Sequence, residues 1–204
     1  MPLALVIALV CIAIYMFMAS GSVLTAVTAT TSTIFIIIAS VVFGLGVAGW
    51  IGFEVTPPIV NAPTVILTLA VADCIHLLVT YFQARRRGLE KEDAIRHSLH
   101  LNFRAVLLTS VTTIIGFLAL NFSDAPPFQD LGNVVAIGIF AAWGFSITTL
   151  PALIMIMPGS VKTDPPGKVN GMEKLANAVI SKPTVSFVTI TALILIAASF
   201  APQN

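Results

Sequence analysis

Three residues at helical spacing have the chemistry to carry a proton. Asp73, His76 and Thr80 lie at i, i+3 and i+7 in LTLAVADCIHLLVTYF, residues 67–82, a stretch that is otherwise almost wholly apolar. A carboxyl and an imidazole bind and release protons, and a hydroxyl both donates and accepts hydrogen bonds. The spacing puts all three on one side of a helix. A charged side chain at the centre of a bilayer costs about 2.5–3.5 kcal/mol on insertion scales, so a carboxyl there is tolerated when neutral. It can give up its proton when water or a cation reaches it, as a proton carrier must. The structural alternative for Asp73 is a hydrogen bond that only joins two helices. For His76 the two readings stay open, since one neighbour can satisfy an imidazole.

Other chemistries lack their residues. Asp73 is the single acid inside any apolar span, so a two-aspartate intramembrane protease is not assembled. HExxH and GxSxG are absent, which argues against a metalloprotease or a serine hydrolase. The two cysteines, Cys11 and Cys74, both fall in apolar runs and imply no disulfide framework. We expect no enzymatic activity, no metal site and no cofactor. No basic patch with interleaved aromatics suggests nucleic acid.

The elements that must position Asp73 follow from composition. The chain is 57% hydrophobic and 9% charged, with a mean hydropathy of +1.01. Soluble domains have about a quarter of their residues charged. Runs longer than about 18 apolar residues mark membrane-spanning helices. The sequence therefore predicts an all-α, polytopic transmembrane helical bundle. Six spans are expected, at about 2–20, 33–53, 60–82, 105–122, 131–157 and 184–201. Asp73 lies ten residues beyond Pro63, which is about 15 Å of helix and close to the bilayer midplane.

All ten Lys and Arg lie in two segments, Arg85 to Arg104 and Lys162 to Lys182. The positive-inside rule makes loops 83–104 and 158–183 cytoplasmic, in a plasma membrane protein of the bacterial inner-membrane type. Residues 89–103 read as an amphipathic surface helix, with Ile95, Leu99 and Phe103 at i+4 and Glu92–Arg96 as an acid-first pair. Residues 158–171 are a Pro/Gly linker, followed by a second amphipathic helix leading into the last span. This divides the chain into a five-helix bundle, 1–157, and the start of a further bundle, 158–204. Both ends run abruptly in or out of apolar helix, so the chain reads as a fragment of a longer protein.

Two groups of small or hydroxyl residues mark helix contacts. Ser40, Gly44, Ala48 and Gly52 repeat at i+4 and read as a packing stripe. Thr109, Thr112 and Thr113, with Gly116, line part of the fourth span. Their hydroxyls either bond back to their own helix or, with Thr80, support the Asp73 relay.

The motifs together resemble a known family. ADCIHLLVTYFQARRRG, LTSVTTIIGF, NFSDAPPF and TTLPALI are similar to the resistance-nodulation-division (RND) superfamily, closest to MMPL-like exporters, which share features with sterol-sensing and Patched-like domains. The resemblance is strong over residues 60–157. It implies a twelve-span permease of two related halves, with this chain covering spans two to six of the first half and the start of the second. It places Asp73 as the proton-relay acid, working with a span of the absent second half. Many relatives carry an acid one residue earlier, where this chain has Ala72. The implied activity is proton-driven efflux of hydrophobic or amphiphilic small molecules or lipids, with membrane lipids, protons and the second half as partners. The alternatives are a sterol-sensing-like lipid-binding module without proton coupling, and an accessory to protein export.

Overall fold

The computed structural model describes residues 21–53 and 56–156 continuously, with isolated positions outside them. Within these ranges the chain forms four long helices: α1 (Val23–Ile51), α2 (Ala62–Arg86), α3 (Lys91–Leu118) and α4 (Pro126–Ile156). Short 3₁₀ turns, Ile59–Asn61 and Ala119–Phe122, precede α2 and follow α3. Each helical stretch is long and apolar enough to cross a membrane. At 29 residues, α1 is about 43 Å long, more than the roughly 30 Å of hydrocarbon. The expected first and last spans, 2–20 and 184–201, lie almost wholly outside the described residues. The chain divides into two compact units, Met1–Thr163 and Asp164–Asn204. In the second, the few described positions include a helical turn in which Thr191 donates to the Phe187 carbonyl at 2.9 Å.

Two boundaries depart furthest from the sequence expectation. Helix α1 begins ten residues before position 33. The segment VLTAVTATTS holds no glycine or proline, and its hydroxyls fold back onto the helix, Thr28 onto the Thr25 carbonyl and Ser32 onto that of Thr28. Residues expected as a separate surface helix, 89–103, are instead the first half of α3, which continues unbroken into the span. Nothing between Lys91 and Thr113 interrupts an i→i−4 ladder, so the helix has no reason to turn.

Helices α2 and α4 touch each other and both flanking helices, whereas α1 and α3 do not meet. The bundle is thus a rhombus with α2–α4 as its short diagonal. Helices α1 and α4 approach closely, glycine against glycine. A Cβ on Gly44 would sit 2.9 Å from the Gly138 Cα, and one on Gly138 would sit 2.2 Å from Ile66 Cδ1. Without a hydrophobic drive between helices in lipid, such close packing is what holds spans together. One apolar cluster joins Leu77, Leu78, Tyr81 and Phe82 of α2 to Ala29 and Ile36 of α1, Ile95 of α3 and Leu150 of α4. A second joins Ala48, Ala62, Val134, Val135 and Ile139 nearer the other end. Asp73 lies between them, one turn from Ala70, which packs with Ile37 and Ala142.

Candidate functional site

Helix α2 runs through the middle of the bundle because both of its long sides are apolar or small. Ala62, Ile66, Ala70, Cys74, Leu78 and Phe82 are buried along it, and Asp73 falls in phase with them. The carboxyl is accordingly 2% exposed. Its Oδ2 has no hydrogen-bond partner.

What faces Asp73 is set by the register of α3. Ala94, Ser98, Asn102, Val106 and Ser110 form an i+4 row of mostly small or polar residues turned towards α2. Two cross-bonds fix that register on the side of the basic residues. Ser98 Oγ donates to the Leu77 carbonyl at 2.6 Å, and Asn102 Nδ2 donates to Thr80 Oγ1 at 2.8 Å. Two turns beyond Asn102, the row brings Ser110 level with Asp73, which lies seven residues before Thr80 on α2. The geometry stops short of a hydrogen bond: Ser110 Oγ, like Asp73 Oδ2, is buried without a partner. A buried polar group left unmade costs about 1–3 kcal/mol.

The other sequence-derived residues are arranged as follows. Thr80 accepts from Asn102 and donates to the His76 carbonyl at 3.1 Å. His76 is exposed, so it and Asp73 turn to different sides of α2. Three residues advance a helix by about 300°, which leaves His76 roughly 60° off the Asp73 direction, enough to leave the bundle. Thr109, Thr112 and Thr113 all donate to carbonyls of their own helix, those of Ala105 and Val106, of Leu108 and Thr109, and of Thr109. Thr109 and Thr112 are exposed and Thr113 is half-buried. Of the packing stripe, Ser40, Gly44 and Ala48 are buried. Gly52 is exposed and serves a different end: at φ 94° it caps α1, its N–H bonded to the Ala48 carbonyl.

Ser110 was not among the residues singled out from sequence. The signal was present. Ser110 continues the row Ser98–Asn102–Val106, whereas the neighbouring threonines lie off it. The site has no candidate metal cluster among the described residues.

The arrangement is a buried acid in the middle of a membrane helix, with one hydroxyl level with it, flanked by a fastened α2–α3 seam. Comparison with known proteins adds the family. Over 120 residues, 59% of this chain and 31% of the relative, the chain is 32% identical to MJ1562 of Methanocaldococcus jannaschii, whose name says only that it is a membrane protein. Over 138 residues, 65% of this chain and 14% of the relative, it is 31% identical to the siderophore exporter MmpL5 of Mycobacterium tuberculosis. These matches span less than a third of the length of either relative. No solved structure matches the chain at comparable significance. The MMPL family profile matches residues 1–186 of the 204. On that match the chain belongs to the MMPL family.

Proposed function

We propose that the chain is part of a proton-driven membrane exporter in which Asp73 takes up and releases the driving proton. One observation carries this reading: an acid only 2% exposed at the middle of a membrane helix, with an unpartnered carboxyl oxygen. Acids in such positions are costly, and they mark ion or proton pathways by default. One proton crossing 100 mV releases about 2.3 kcal/mol, enough for a few to bias a conformational cycle. The relative MmpL5 is named as a siderophore exporter, which supports export as the activity.

In this reading the basic ends of α2 and α3, with the linker at 158–183, face the cytoplasm of the plasma membrane. The exposed His76 side of α2 meets a helix of a second half, whose first span lies at 184–201. His76 and Thr80 then lie between Asp73 and the cytoplasmic end.

The test uses the full-length protein in proteoliposomes. Asp73→Asn removes the titrating group and keeps the size. It is expected to lower gradient-driven export at least tenfold while the protein remains folded. Export that proceeds at the wild-type rate and still follows the proton gradient in Asp73→Asn would falsify the assignment.

A further inference from the structure

The end of α4 nearer the basic residues is tied from outside and loosely packed within. Pro151 has no N–H, so the helix ladder lacks its bond to the Ile147 carbonyl one turn earlier. Two side chains from distant parts of the chain reach across to the segment that follows. Lys91, the first residue of α3, donates Nζ to the Met155 carbonyl at 3.1 Å. Thr25, in the first turn of α1, donates Oγ1 to the Ser160 carbonyl, beyond the end of α4, at 2.7 Å.

Beside that segment lies a cavity of about 20 Å³. Thr25, Thr28 and Ser32 of α1, Leu78 and Tyr81 of α2 and Ile154 of α4 stand on its wall, together with Lys91 of the tie. A second cavity, of about 10 Å³, shares Tyr81 and Ile154 with the first and touches Pro151. Ile154 therefore sits between two small spaces. A side chain so placed gives up fewer contacts when it shifts than one in a filled interior.

The larger cavity is more than a gap in packing. An apolar void stays dry, whereas roughly 10–15 Å³ faced by two to four polar partners holds a water. Three hydroxyls of α1, at i, i+3 and i+7, share one wall. Those of Thr25 and Thr28 give their protons to carbonyls, so their oxygens are acceptors towards the cavity. Such a wall suits a hydrogen-bond donor. The Lys91 ammonium on the same wall disfavours a cation, which leaves water.

We propose that this cavity is a hydration site at the basic end of the bundle, and that the α4 turn after Pro151, latched by Lys91 and Thr25, is its lid. Inward of the cavity, Leu78 and Ile36 are fully buried in one apolar cluster. Leu78 lies five residues from Asp73, about 7.5 Å of helix. The lid therefore sets whether bulk water comes within two turns of the acid. That use rests on the reading of Asp73 as a proton-carrying acid, whereas the cavity and its lid do not.

The experiment is hydroxyl-radical footprinting of the full-length protein in lipid nanodiscs, in which irradiated water is itself the probe. Tyr81 is only 5% exposed, so its oxidation reports water in the cavity, and Trp50, 89% exposed, is the internal standard. Oxidation of Tyr81 is expected in the wild type. Ala29→Val narrows the cavity and should slow that oxidation about fivefold. If it does not yield folded protein, Thr28→Val with Ser32→Ala strips two hydroxyls without adding bulk, and the same fall is expected. Lys91→Met removes one tie and should speed the oxidation about threefold, whereas Lys91→Arg keeps a donor and should not. Tyr81 left unoxidised in the wild type while Trp50 is consumed overturns the hydration site. Equal oxidation in the wild type and Lys91→Met overturns the lid. Export measured alongside separates the two readings. Export lost in Asp73→Asn with Tyr81 unoxidised removes the cavity and leaves the exporter standing. Export intact in Asp73→Asn, with oxidation that follows the Lys91 tie, keeps the cavity and removes the exporter.

Discussion

Asn102 Nδ2 lies 2.8 Å from Thr80 Oγ1, and this bond fastens α3 to α2 at the end of the pair nearer the basic residues. The same amide nitrogen also reaches the Ser98 carbonyl of its own helix at 2.9 Å. Ser98 in turn donates to the Leu77 carbonyl, so the seam is closed by a short chain of polar contacts. Polar contacts between membrane helices average about 0.6 kcal/mol and reach about 1.7 kcal/mol. Asn102→Ala is expected to lower stability by about 0.5–1.5 kcal/mol, read from unfolding in mixed detergent micelles. Asn102→Gln should recover only part, since its longer chain must bend to reach Thr80. A double-mutant cycle with Thr80→Val checks the pair. A coupling near zero would mean that the bond does not hold the seam.

The α1–α4 and α2–α4 contacts predict a steric effect of opposite character. A methyl on Gly138 would meet Ile66 Cδ1 at 2.2 Å, inside van der Waals distance. The flexible end of Ile66 can swing, but it is fully buried, so its neighbours must give as well. Overpacking a close-packed site costs about 1–3 kcal/mol, and Gly138→Ala is expected to fall in that range. Ile66→Ala should then be less damaging in the Gly138→Ala background than alone. Thermal unfolding of the two single variants and the double reads this directly. Additive losses would contradict the contact.

The threonines of α3 predict tolerance. Thr112 is exposed, and its hydroxyl is spent on the Leu108 and Thr109 carbonyls of the same helix. Thr112→Val keeps the shape, removes a hydroxyl that no other described helix uses, and is expected to change stability by less than about 0.5 kcal/mol. Export by the full-length variant should stay within twofold of the wild type. A loss of tenfold or more would give this hydroxyl a use that its present hydrogen bonds do not.

These contrasts show what the sequence could and could not reveal. The apolar runs mark α1 to α4 because only continuous apolar helix is tolerated in hydrocarbon. They do not mark where α1 starts or that α3 continues through 89–103. Outside the hydrocarbon a helix and a loop differ only in local bonding, such as the Thr28 and Ser32 back-bonds. Asp73 was legible because an acid in a span stands out against its surroundings. Ser110 was not, because a run of Thr and Ser reads as one polar patch until the i+4 row through Ser98 and Asn102 separates it from Thr109 and Thr112. His76 shares a broad side of the helix with Asp73 by count, yet 60° of rotation sends one into the bundle and the other out of it.

The turn between α3 and α4 carries the last prediction. Asn121 and Asn133 face each other as a reciprocal amide pair, each Nδ2 donating to the other's Oδ1 at 3.0 Å. Gln129 adds a bond to the Ser123 carbonyl at 2.7 Å, so the motif FSDAPPFQ folds as a tied corner rather than a loose loop. Asn133→Asp preserves the shape but replaces the donor with an acceptor, setting two oxygens against each other. Both residues are partly solvated, which screens the added charge, so the loss is expected at the low end of an unmade hydrogen bond, about 1 kcal/mol. Asn121→Leu combined with Asn133→Leu removes both polar partners and should cost less than Asn133→Asp, since no group is left opposed. Hydrogen exchange of the turn amides, measured in detergent, distinguishes the cases. Faster exchange at 119–125 in Asn133→Asp, and not in the double leucine variant, is the expected pattern. Equal protection in all three proteins would show that the amide pair does not hold the corner.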